Sequence, residues 1–136
     1  MDLEILEIAS NTENNKVVIN HTHSSRHKNA MCGDIMKVSL IIKKNIVREF
    51  GYQCKSCVYC QAAVSLLSRS ALNKSTESLK NLIKITENFF EKENFTFPKE
   101  WSVFKKLFKK KNIVRKECLK LPFKTLSKAL KKWNCL

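Results

Sequence analysis

Apolar positions along the chain recur with two different periods, and the period separates predicted helices from predicted strands. Leu3, Ile5, Leu6 and Ile8 predict a short amphipathic helix over Asp2–Ala9, with Asp2 near its positive end. Asn11–Asn15 is polar and reads as a turn, and Val17–Ile19 reads as a short strand. His21–Asn29 is polar without an apolar period and reads as a loop leading to Cys32. From Ile35 to Ile42 the period is two: Met36, Val38, Leu40 and Ile42 share one face, Lys37 and Ser39 the other. Lys43–Asn45 is a hairpin turn, and Ile46–Phe50 is the returning strand, ending at Gly51. An antiparallel pair joined in this way puts Cys32 and the Cys54–Cys60 segment at the same end of the hairpin.

Beyond Cys57 the period becomes helical. Ala62, Ala63, Leu66, Leu67 and Leu72 form an apolar stripe whose small residues permit close packing on a sheet. Ser75-Thr-Glu-Ser78 resembles a capping box with Glu77 early in the helix. The helix it opens runs through Leu79, Leu82, Ile83, Ile85 and Phe89 to about Lys92. Asn94–Pro98 is a linker, and Trp101, Phe104, Leu107 and Phe108 are the stripe of a third helix. Pro122 suits the first turn of a last helix, built on Leu126, Ala129, Leu130 and Trp133, with Cys118 just before it.

Composition narrows the class. A chain of 136 residues with 43% apolar content, two glycines and two prolines is expected to fold as a single domain, 1–136. No apolar run has the length needed to span a bilayer, so no membrane association is expected. The acidic start Met1-Asp-Leu-Glu-Ile-Leu-Glu lacks the basic and apolar parts of a secretory signal. The expected location is cytoplasmic, where six cysteines stay reduced unless a metal or catalysis occupies them. Net charge is +14, and Lys99–Trp133 holds thirteen Lys and Arg against two Glu. That block invites a nucleic-acid reading, but its aromatics fall on the apolar stripes of predicted helices and Arg115 is its single arginine, so it offers few groups to read bases, and a solvated lysine surface is the plainer account. An acidic protein partner is a third reading of the same charge.

The cysteines carry the chemistry. Cys32 opens a Cys-Gly-Asp triplet, Cys54, Cys57 and Cys60 form a Cys-x-x-Cys-x-x-Cys run, and Cys118 lies far along the chain. Cys57 and Cys118 fall near predicted helix starts, where positive dipole ends favour thiolate. On a strand, residues two apart point the same way, so Cys32 and Asp34 can face one metal. Cys32, Asp34, Cys57 and Cys118 then make a set of three sulfurs and one oxygen, which suits tetrahedral zinc or a [2Fe–2S] cluster. Cys54 and Cys60 are further candidates, or else a bystander on the approach loop and a small core residue respectively; Cys135 is incidental. His21, His23 and His27 lack ligand-like spacing to a cysteine pair and read as solvated. There is no Gly-rich phosphate loop and no evident Ser-His-Asp arrangement.

Taken in order, these motifs resemble the NifU N-terminal-domain family, the IscU- and SufU-type iron–sulfur cluster scaffolds. The matching pieces are Cys32-Gly-Asp34 before a strand, the cysteine-bearing Phe50–Ser65 segment that runs into a helix, Lys74-Ser75 at the next helix start, and Arg115-x-x-Cys118-x-x-Leu121-Pro122-Phe123. The likeness covers about residues 30–132. It implies an α+β fold: a small antiparallel sheet of about three strands packed by helices, with the site at one end. It assigns Cys32 as first ligand, Asp34 as acidic partner and Cys118 as last ligand. For the middle ligand, counting back from Lys74-Ser75 favours Cys57, and counting from Gly51 favours Cys54. Where the IscU branch has His before its last cysteine, this chain has Glu117, an alternative ligand or an exposed residue. The Leu-Pro-Pro-Val-Lys chaperone segment of that branch is replaced by Lys111-Asn-Ile-Val-Arg115, which marks a divergent branch.

The resemblance implies a scaffold, not itself an enzyme, for a transient [2Fe–2S] cluster, with a cysteine desulfurase as sulfur donor and apo iron–sulfur proteins as acceptors. The alternative within the family is a zinc-bound, SufU-like sulfur acceptor. A basic nucleic-acid-binding module is the reading from another class.

Overall fold

The computed structural model describes residues 2–30, 33–91 and 96–131. Cys32, Lys92, Asn94, Trp133 and Cys135, to which expectations were attached above, lie outside them. Helix α1 (Leu3–Ala9) begins where expected: the Asp2 carboxylate accepts from the Glu4 N–H at 2.9 Å. Of its apolar positions Ile5 is fully buried, while Leu3 is 79% exposed.

Three antiparallel strands follow in the order β1 (His23–Lys28), β2 (Ile35–Lys43) and β3 (Ile46–Lys55). Strand β1 corrects the loop expected over His21–Asn29. A ladder is made by the backbone, whatever the side chains, and here it pairs His23 with Leu40 through to Lys28 with Ile35. The polar inner face of β1 is satisfied by the last helix: Ser25 Oγ donates to the Thr125 carbonyl at 2.5 Å. Val17–Ile19, expected as a strand, is none. Only Val18 is buried, and its N–H donates to Ser39 Oγ at 2.9 Å, pinning the segment across the outer face of the sheet.

The turn between β2 and β3 places Lys44 and Asn45 at φ 52° and 62°, the left-handed pair that a two-residue hairpin needs. Strand β3 does not stop at Gly51 but runs on to Lys55. Gly51 is a close-approach glycine rather than a terminator, since a Cβ there would strike the Lys16 carbonyl and the Val18 side chain.

The inner sheet face is covered by α2 (Val58–Ser70) and α4 (Lys116–Leu130), which also pack on each other. Ala62, Ala63, Leu66 and Leu67 of α2 are buried, as the small-residue stripe predicts. Helix α3 (Thr76–Asn88) is capped by Ser75, whose Oγ accepts from the Ser78 N–H at 3.0 Å; it ends short of Lys92, with Phe90 in a left-handed turn at φ 70°. The third predicted helix is a 3₁₀ helix, Lys99–Lys106, and its stripe is buried: Trp101, Phe104, Leu107 and Phe108. Phe89, Phe97, Phe104, Phe108 and Phe123 pack there, mostly edge to face, at centroid separations of 5.3–5.9 Å.

A second 3₁₀ helix, Lys110–Arg115, feeds directly into α4. This moves the start of the last helix ahead of its expected place: Cys118 lies in its first turn, and Pro122 sits inside it. The basic block is partly neutralised within the chain. Lys111 pairs with Asp2 at 2.9 Å and Lys109 with Glu4 at 3.1 Å, joining the basic C-terminal part to the acidic start. Lys120, buried at 5% exposure, donates to the Glu87 carbonyl at 3.1 Å and pairs with Glu91. Among the described residues no helix is long and apolar enough to cross a membrane.

Candidate metal centre

Strand register takes the first step in building the site. Ile35 pairs with Lys55, so Asp34 and Ser56 are the next residues at the open end of the hairpin. Two backbone hydrogen bonds hold Asp34 there: Gly33 N–H donates to the Asn29 carbonyl and Asn29 N–H to the Asp34 carbonyl, each at 2.8 Å. Gly33 has φ +77°, a conformation glycine adopts without steric penalty.

After β3 the chain turns into α2 with Cys57 as N-cap, in extended conformation. The Cys57 N–H donates to Asp34 Oδ2 at 3.5 Å, tying the carboxylate to the helix start. Cys118 arrives from the other direction. Asn112, 4% exposed, donates to the Leu107 carbonyl at 2.8 Å and holds the 3₁₀ turn that leads into α4. The starts of α2 and α4 are joined by the Arg115 guanidinium, which lies over the Tyr59 ring at 5.4 Å. The starts of two helices therefore converge on one point.

The result is one group: a carboxylate oxygen of Asp34 and the sulfurs of Cys57 and Cys118 all lie within 4.8 Å of one another. Asp34 and Cys57 are half-buried, and Cys118 is 8% exposed. Tetrahedral coordination with metal–sulfur bonds of about 2.3 Å keeps ligand atoms about 3.8 Å apart, so small side-chain rotations would close this set on an ion. Two soft sulfurs and one oxygen on rigid element ends fit zinc or iron–sulfur chemistry by donor type.

Other candidates stand differently. Glu117 turns outward and accepts from Lys124 Nζ at 3.0 Å, away from the group. Cys54 is half-buried at the end of β3; burial first, and then the charges of Asp34 and Cys57, push its thiol up from the usual range. Cys60 is fully buried in the first turn of α2, and burial pushes its thiol well up. His23 lies on β1, 7% exposed, with a 2.8 Å hydrogen bond between Thr22 Oγ1 and its Nδ1. Two surface hollows, of 470 and 380 Å³, lie on the outer sheet face around Arg26, Lys37 and Gln53 and are lined by none of the three grouped ligands.

Two features were missed at the level of sequence. Ser56, next to Cys57 in the sequence, has a buried hydroxyl without a hydrogen-bond partner. The Arg115–Tyr59 contact joins residues far apart in the chain. Neither carries a local signal, since each depends on how two elements meet.

Comparison with known proteins gives a consistent picture. The family described as NifU-like N terminal domain matches residues 2–134. The chain is 31% identical over 105 residues to the iron–sulfur cluster assembly scaffold protein IscU of Thermotoga maritima, a match that covers 77% of this chain and 74% of that protein. Its fold is that of a NifU-like N-terminal protein from Brucella abortus, with TM-score 0.86, 20% identity, and 96% and 91% of the two chains covered. It equally matches a protein from Fervidobacterium islandicum described as a cluster assembly scaffold for the SUF system, with TM-score 0.87, 20% identity and 96% of each chain covered. With its sheet order, its helix arrangement and a carboxylate and two thiols gathered at one end, the chain belongs to the NifU-like N-terminal domain family of iron–sulfur cluster assembly scaffolds.

Proposed function

We propose that this protein is a scaffold on which a transient [2Fe–2S] cluster is built and from which it passes to apo-proteins. The observation that carries this reading is the meeting of Asp34, Cys57 and Cys118 within 4.8 Å, at the end of the fold where two helix starts converge. Cys32, two residues before Asp34 in the sequence, completes the ligand set in this reading. A carboxylate binds iron less tightly than a thiolate does, so a mixed set holds a cluster firmly enough to assemble it and loosely enough to release it. Cys57, half-buried at the helix start, is open to a sulfur donor such as the persulfide of a cysteine desulfurase. The likeness to the Thermotoga maritima scaffold supports the same role. The protein acts as a carrier rather than by turnover, and in the cytoplasm. Unpaired surface lysines serve to steer acidic protein partners in this reading.

The test is anaerobic reconstitution with iron and sulfide. The expected result is visible charge-transfer absorbance that Cys57→Ser abolishes. An unchanged spectrum in that variant removes Cys57 from the site. The same donors suit tetrahedral zinc, the reading of a zinc-bound sulfur acceptor. Stoichiometric, tightly held zinc in protein purified without oxygen, with no cluster after reconstitution, decides for that alternative.

A further inference from the structure

Cys60 does not belong to the ligand group, yet it stands beside it. Cys57 is the N-cap of α2 and Cys60 is three residues on, in the first turn. Residues three apart on a helix have Cβ atoms about 5–6 Å apart, close to disulfide range, and Cys57 sits outside the helical conformation and is free to rotate the remainder. Cys54 is placed differently. The chain from Cys54 to Cys57 is largely extended, which separates their Cα atoms by up to about 10 Å, beyond the reach of a disulfide. Cys57 is half-buried and Cys60 is fully buried behind it, so an external donor meets Cys57 first. A Cys-x-x-Cys pair at a helix start, one thiol open and one enclosed, is a redox arrangement.

We propose that Cys57 and Cys60 form a built-in dithiol that reduces sulfane sulfur to sulfide. The proposal rests on the reading of Cys57 as a sulfur acceptor and supplies the electrons which that reading leaves open. A persulfide donor leaves Cys57 as Cys57–S–S⁻. The Cys60 sulfur attacks Cys57 Sγ, forming the Cys57–Cys60 disulfide. The bond from Cys57 Sγ to the outer sulfur breaks, and its electron pair leaves with that sulfur. The proton of Cys60 goes with it, so the product is HS⁻. The sulfane sulfur is reduced by two electrons, and the two cysteine sulfurs are oxidised by two. An external dithiol regenerates the pair. Sulfide is the form of sulfur a cluster contains, so the step converts the delivered sulfur at the place where it is used.

The experiment uses the reduced full chain, anaerobic and without added thiol, mixed with glutathione persulfide. Hydrosulfide release is followed, and peptide mass spectrometry maps the products. The expected result is stoichiometric hydrosulfide release with a Cys57–Cys60 disulfide. Cys60→Ala and Cys60→Ser are each expected to keep a persulfide on Cys57 and to release hydrosulfide about tenfold more slowly. Cys54→Ser is expected to behave as the wild type. The mapping on unmodified protein needs no variant, so it stands even if a core substitution disturbs folding. A persulfide on wild-type Cys57 that persists without hydrosulfide release, release unchanged in both Cys60 variants, or a disulfide from Cys57 to another cysteine would overturn the dithiol while leaving Cys57 a sulfur acceptor. Failure of any persulfide to form on Cys57 would overturn both. Cobalt(II) binding by the Cys60 variants, expected to be unchanged, reads the metal group separately.

Discussion

The amide of Cys57 donates to Asp34 Oδ2 at 3.5 Å, so the residue that opens α2 is tied to the residue that leads into β2. These positions are 23 residues apart in sequence and adjacent in space because the β2–β3 hairpin returns the chain to its own starting end. Cys118 then reaches the same point from a third element. The arrangement makes the contributions of individual donors separable by substitution.

Cobalt(II), whose thiolate charge-transfer bands report sulfur ligation, is expected to bind with sulfur ligands from Cys32, Cys57 and Cys118. Either Cys57→Ser or Cys118→Ser should weaken binding by more than about 100-fold, the upper end of what changes outside the ligand set produce. Glu117→Gln should leave binding and spectrum unchanged, because Glu117 is engaged with Lys124 on the outer side of α4. A competition titration against a chelator measures all three. A loss in the Glu117 variant matching that of the cysteine variants would place the metal elsewhere.

Asp34→Ala should prolong the life of a reconstituted cluster. Removing the one hard, weak donor leaves a site dominated by thiolates, from which iron departs more slowly. Decay of visible absorbance after addition of a chelator is expected to slow several-fold. Equal or faster decay would remove Asp34 from the release step.

The two glycines should fail for different reasons. Gly51→Ala drives a methyl into the Lys16 carbonyl and the Val18 side chain, a backbone collision that should lower stability by about 1–3 kcal/mol. Gly33→Ala has open space around it but must hold φ +77°, which should lower stability by roughly 1–2 kcal/mol. Denaturant midpoints provide the numbers. Adding Val18→Ala to the Gly51 variant should recover part of its loss, and adding it to the Gly33 variant should recover none.

Stability should fall as the solution is acidified through the histidine range. Burial holds the His23 imidazole below its ordinary value, and burial together with Lys128 and Lys124 does the same to His27. The unfolded chain therefore binds these protons first. The stabilisation is complete above the ordinary histidine value of 6.5 and declines as pH falls from there toward the lower folded values. Substituting both residues by Gln should flatten the denaturation midpoint between neutral pH and pH of about 5. A slope unchanged by the double substitution would assign it to other groups.

Much was legible without coordinates wherever a local rule operated. The α1 cap at Asp2, the Ser75 cap, the alternation in β2, the Lys44-Asn45 turn and the small-residue stripe of α2 are each decided within a few residues. The order of the cysteine motifs marked the family for a similar reason, since spacing along a chain is itself sequence. The errors lie where a neighbour outvoted local preference. Polar His23–Lys28 is a strand because β2 supplies hydrogen bonds and α4 answers its inner face. Strand β3 runs through Gly51 because a loop lies on it, and α4 starts before Cys118 because the preceding 3₁₀ turn is anchored to Leu107.

By itself, then, the sequence determined helices α1 to α3, the β2–β3 hairpin and the thiol and carboxylate residue types of three separate segments. Only the tertiary structure decided that Asp34, Cys57 and Cys118 share one point, that Glu117 faces away and that Cys60 stands enclosed behind Cys57. Periodicity and capping act over one or two turns of chain. A site made of residues 34, 57 and 118 depends on strand register and on the packing of two helices, which sum contributions from the whole core.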